Sequence, residues 1–117
     1  MTRGKWHMFF DSGVLVHTRR IPARFDVMSE TVLVGGGGFS VTRIARQVRQ
    51  DVWRALRAQR GFSPVIHIAI KDANLSIKAG GQIDGVFSRP RLEMILRDIL
   101  NDPARRTRWA NYARRST

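Results

Sequence analysis

The chain has 117 residues, 21 basic and 9 acidic, for a formal net charge of +12, and no cysteine. That length suits one domain with room for a core; the lack of cysteine excludes disulfides and thiolate metal sites and fits a reducing cytoplasm. The charge points to an anionic partner, while no apolar run reaches the roughly 20 residues of a membrane span.

Of the basic residues, 18 are arginine and 3 are lysine. Arginine grips phosphate with a flat bidentate fork and stacks on rings. A genomic bias toward arginine codons would produce the same excess without a function. The opening segment MTRGKWHMFF is charged with only a short apolar patch, so it does not read as a signal peptide.

Residues 5–19 are predicted as a β-hairpin. Lys5–Phe10 and Val14–Arg19 both alternate, and Asp11-Ser12-Gly13 reads as a three-residue turn. In that register Phe10 faces Val14 and His7 faces His17. Trp6, Met8, Phe10, Val14 and Val16 then form the core side, and Lys5, His7, His17 and Arg19 the other. A slip of one residue would swap faces. With His67, the two hairpin histidines are the only ones in the chain, but no acid stands ready to support a metal site, and no metal is expected.

After Pro22, Ala23–Val27 and Thr31–Val34 are predicted as two strands around a turn at Met28-Ser29. Gly35–Gly38 follow. A strand, a glycine run and a helix invite a phosphate-loop reading, but GGGGFSVT lacks the required Lys-Ser/Thr. The glycines otherwise read as a flexible turn. No cofactor is expected.

The longest helix is predicted over 40–60, with Ser40 as N-cap and Gly61 past its end. Val41, Ile44, Ala45, Val48, Val52, Ala55 and Leu56 fall within an arc of roughly 120° on a helical wheel. Arg43, Arg46, Arg49, Arg54, Arg57 and Arg60 occupy the far side, with Trp53 among them. Two readings fit that face. It is a solvated face with Trp53 tucked under a neighbour, or it binds phosphates with Trp53 as a stacking platform. Only Asp51 interrupts the positive charge, whereas a helix tuned for solubility mixes signs.

A three-stranded meander is predicted over 64–87, with turns at Asp72-Ala73-Asn74 and Ala79-Gly80-Gly81. Helices follow over 89–100, capped by Ser88, and over 103–115, capped by Asp102 with Pro103 at its first position. In the last helix Arg105, Arg106, Arg108, Arg114 and Arg115 surround Trp109 and Tyr112. That helix either docks its aromatics on the core or offers a second arginine–aromatic patch.

The expected fold is α+β: an antiparallel sheet, made of the N-terminal hairpin and the meander, packed against one long helix and two C-terminal helices. From Ser40 to Leu100 the order is helix, three strands, helix. This resembles the topology of double-stranded RNA-binding domains over about half the chain. SRPRLE stands where those domains carry a lysine cluster.

The expected function is binding of DNA or RNA through the phosphate backbone. The alternative is a non-enzymatic interaction module that docks its basic face on an acidic protein. It would be a subunit of a ribonucleoprotein or phage assembly, or a small inhibitor. A role on anionic lipid ranks lower because the β-branched and alanine-rich stripe suits a core. No catalytic constellation is evident, and a basic nuclease built on Asp11 and His17 is the best enzymatic reading.

Overall fold

The computed structural model describes residues 5–114. Ser12 and Gly13 take positive φ angles of 51° and 81°, the signature of a two-residue hairpin turn. They join β1 (His7–Asp11) to β2 (Val14–Thr18), pairing Asp11 with Val14 and Met8 with His17. The hairpin is present, but its register is one residue from the expected one. Both strands carry apolar residues on both faces, so alternation alone did not fix the pairing. β1 keeps its predicted face, whereas on β2 Leu15 and His17, not Val14 and Val16, turn toward the helices.

β3 (Val27–Leu33) is one strand that runs straight through Met28-Ser29, where a turn was expected. β4 (Phe62–Lys71) and β5 (Asn74–Ile83) form a long hairpin. Their turn places Asp72 and Ala73 at φ 51° and 65°. The strand order is β1-β2-β4-β5-β3, antiparallel throughout. The expected turn at Ala79-Gly80-Gly81 does not form, and β5 continues to Ile83. The glycines serve close approach instead. A Cβ on Gly80 would lie 1.9 Å from the Val27 carbonyl oxygen, and one on Gly81 would lie 2.3 Å from that of Ser63. The third strand beside the β4–β5 hairpin is therefore β3, from earlier in the chain. Two strands, not three, separate the first and second helices, so the order that resembled double-stranded RNA-binding domains is not kept.

All three α-helices lie on one face of the sheet, which confirms the α+β class. The first, α1 (Val41–Leu56), begins where the Ser40 hydroxyl accepts the Arg43 N–H. Its Ile44, Ala45, Val48, Val52 and Leu56 are buried against Leu15, Ile66, Ile68, Ile77 and Ala79 of the sheet. Burying each larger aliphatic is worth about 1.5–3 kcal/mol. Ala55 is exposed, and the helix stops four residues before Arg60. α2 (Arg89–Leu100) has Ser88 as N-cap and packs Leu92, Leu96, Ile99 and Leu100 into the same core.

α3 (Pro103–Ala113) is capped by Asp102, which accepts the Arg105 N–H at 3.0 Å. It docks on α1. Trp109 is 0% exposed, and its Nε1 donates to Asp51 Oδ2 at 2.7 Å. Arg108 pairs with the same carboxylate. The Ser40 N–H bonds the Ala113 carbonyl at 2.9 Å and ties the start of α1 to the end of α3.

Candidate nucleic-acid interface

Arg43, Arg46 and Arg54 on α1, and Arg57 at its C-cap, are all exposed on the side turned away from the sheet. Arg60 is exposed in the turn that leads to β4. Among the described residues none of these five takes part in an ion pair. Trp53 is 41% exposed, and its ring lies nearly parallel to that of Phe62, with centroids 6.5 Å apart and planes 13° apart. Its inner edge is held by Phe62 while part of the indole faces water, a geometry between the two expectations. A supported ring of this kind can stack on a base without collapsing inward.

Arg49 behaves differently. It is half-buried, and its Nη1 lies 3.1 Å from His17 Nε2. Its guanidinium also sits 4.5 Å from the Trp6 ring centre, with Arg19 at 5.3 Å from the same ring. Trp6 in turn packs on His17 at 5.1 Å. His17 Nδ1 lies 3.0 Å from the His7 carbonyl oxygen. A carbonyl can only accept and a guanidinium can only donate, so the proton sits on Nδ1 and Nε2 accepts from Arg49. His17 is therefore held neutral. Burial lowers its pKa below the ordinary imidazole value, and Arg49 and Arg46 push it down further. Burial, then Arg46, also lowers that of Arg49, which remains charged at any ordinary pH.

The cluster extends the basic surface from α1 onto the hairpin. A cleft of about 300 Å³ lies between Arg19, Arg20, Phe62 and Ser63, so Phe62 adjoins both this cleft and Trp53. Arg20 pairs with Asp84 at its rim. Sequence reasoning did not assign Trp6, His17, Arg19 or Arg20 to the site. The signal available was the alternation of Trp6 and Arg19 at the hairpin end, and the misplaced register hid it.

The terminal arginines are placed otherwise. Arg105 pairs with Asp102 at 3.2 Å. Arg106 donates to Thr31 Oγ1 at 2.9 Å, to the Leu100 carbonyl at 2.8 Å and to the Val32 carbonyl at 2.6 Å, tying α3 to β3. Arg108 serves Asp51. Arg114 is exposed at the helix end, and Arg115 lies outside the described residues. The structure thus joins the α1 arginines to Trp53 and Trp6, and gives Arg105, Arg106 and Arg108 intramolecular partners.

The glycine run is folded, not loose. Gly36–Gly38 make one 3-10 turn; the Gly37 N–H bonds the Ala73 carbonyl at 2.8 Å and the Gly35 N–H bonds Asn74 Oδ1 at 2.8 Å. Those donors point into the protein and not toward a phosphate. His67 lies on the sheet face opposite His17, in line with Val16 and Lys78. Among the described residues no group of three or more His, Cys, Asp or Glu is placed to hold a metal ion. No helix among them is long and apolar enough to cross a membrane.

Comparison of the chain with protein-family models, with curated proteins and with solved structures finds no match.

Proposed function

We propose that the protein binds nucleic acid through the outward face of α1, holding the phosphate backbone with Arg43, Arg46, Arg54 and Arg57. The observation that carries this reading is the row of exposed guanidinium groups with no acidic partner among the described residues. Unpaired like charges repel one another along a helix. An anionic polymer relieves that repulsion and releases its own counterions, so the site gains on binding what the free protein lacks. Trp53 on the same face and the Arg19–Arg20 cleft beside it supply contacts to bases and further phosphates. Arg49 acts at one remove, by fixing Trp6 at the border of the face.

The test is the salt dependence of binding to a fluorescent duplex and to a single strand of the same length. The triple variant Arg46→Gln, Arg54→Gln, Arg57→Gln should lower the slope of log K against log salt by about 2 to 3. If the slope and affinity stay those of the unaltered protein, this face is not the interface. Capture of a protein that survives nuclease treatment and depends on the same three arginines would replace the nucleic acid with an acidic protein surface.

A further inference from the structure

The two edges of the sheet are built differently. At β3, Arg106 caps the outward Val32 carbonyl, Glu93 accepts the outward Met28 N–H at 3.1 Å, and the charged Glu30 stands in mid-strand. These are the usual devices that keep an edge from pairing. At β1 none of them is present among the described residues. The strand reads His-Met-Phe-Phe-Asp, and Phe10 is 64% exposed. Asp11 and Val14 close the two-residue turn, so the ladder to β2 uses the backbone of Asp11, Phe9 and His7. Alternation then turns the N–H and C=O groups of Met8 and Phe10 outward.

We propose that this edge pairs with β1 of a second copy of the chain, antiparallel and centred on Phe9, to give a two-fold dimer with a continuous ten-stranded sheet. Only that register pairs all five residues of the strand. It sets Met8 opposite Phe10 of the second copy, so the outward backbone groups of both residues meet as hydrogen-bonded pairs. It covers the exposed Phe10 ring with a thioether, a favourable contact. On the other face it sets Asp11 opposite His7 of the second copy, so an imidazole N–H meets a carboxylate at each end. The strand is therefore complementary to itself in charge, apolar surface and hydrogen bonding, as an isologous contact requires.

An axis normal to the sheet leaves both helix layers on the same side. α1 lies chiefly over β4, and the two β4 strands would be five strand spacings, or about 24 Å, apart. The dimer would thus present two arginine faces across one groove. That consequence rests on the nucleic-acid reading, whereas the dimer itself does not.

The experiment is sedimentation of the nuclease-treated full chain over a concentration series, in about 0.5 M salt to screen repulsion between the like-charged copies. The unaltered protein should dimerise reversibly. Phe10→Pro removes one outward N–H and is compatible with an edge strand. Asp11→Lys removes the carboxylate that accepts the His7 N–H and sets two further cations at the contact between the copies. Both should sediment as monomers. Phe9→Cys places two thiols across a non-hydrogen-bonded pair, where the Cα spacing suits a disulfide. Under mild oxidation it should cross-link at least about tenfold faster than Val86→Cys on the 97% exposed Val86. A monomer at all concentrations overturns the proposal. So does a dimer that persists in Asp11→Lys and Phe10→Pro, or a Phe9→Cys variant that cross-links no faster than Val86→Cys. Loss of nucleic-acid binding in the α1 arginine variant would leave these outcomes unchanged.

Discussion

Replacing Asp51 with alanine should separate α3 from α1 without touching the outward arginine row. Asp51 is buried in the helix contact and accepts from a fully buried indole N–H while it pairs with Arg108. A hydrogen bond to a charged acceptor contributes about 1.5–3 kcal/mol, and a stranded buried donor costs about 1–3 kcal/mol. The two effects overlap, which gives a loss of about 3 kcal/mol. With an unfolding entropy near 2.1 cal/mol/K per residue, a chain of 117 residues loses about 4 °C per kcal/mol, or about 12 °C in Tm. Asp51→Asn retains an acceptor for Trp109 and should cost about 1 kcal/mol, because Arg108 is half-exposed and can turn to water. Trp109→Phe removes the stranded donor, so the Asp51→Ala and Trp109→Phe losses should couple by at least about 1 kcal/mol in a double-mutant cycle. Urea and thermal unfolding of the five proteins, namely the unaltered chain, the three single variants and the Asp51→Ala, Trp109→Phe double variant, measure all of this. A cost below about 1 kcal/mol for Asp51→Ala, or additive single losses, would refute the reasoning.

Other consequences are as direct. Gly37→Ala should destabilise by about 1–3 kcal/mol, since its Cβ would meet the Ala73 backbone at 2.8 Å, whereas Gly38→Ala has nothing within 4 Å and should be near neutral by thermal melting. Ala73→Gly should stabilise by about 1 kcal/mol, because alanine holds φ 65° there against its preference, and a fall in Tm would count against it. Stability should also decline as pH falls. Burial lowers both His17 and His67, and Lys78 adds to the effect on His67. The unfolded chain therefore takes up protons first. The stabilisation is complete above about pH 6.5 and is lost as pH drops through the values of the folded protein. The urea midpoint measured from pH 8 to pH 5 should show this decline, and the variant His17→Gln, His67→Gln should flatten it.

The helices were legible because their signals are local. Ser40, Ser88 and Asp102 each stand one residue before a helix and each accepts the expected N–H. The stripe from Val41 to Leu56 encodes its own buried face. The sheet was less legible because its signals are shared. Phe9 and Phe10, or Leu15 and Val16, satisfy either register, and two adjacent glycines that usually mark a turn here let β3 and β4 approach β5 closely. The outward α1 arginines could be found from the wheel alone. The bonds of Arg106 to Thr31 and Val32, and those of Arg108 and Trp109 to Asp51, could not, because each joins residues at least 57 positions apart.

The strand order also dictates when this protein can fold as it is made. β2 and β3 are synthesised early but never touch as neighbours, since the later β4–β5 hairpin lies between them. Until β4 and β5 have emerged, the nascent chain has a basic amphipathic helix, the β1–β2 hairpin and β3, with no central strands to join them. Assembly of the five-stranded sheet must therefore wait for the β4–β5 hairpin, whose own contacts are close in sequence, to recruit the older strands to its two sides. A fragment ending at Gly61 should show little cooperative unfolding and should be readily proteolysed.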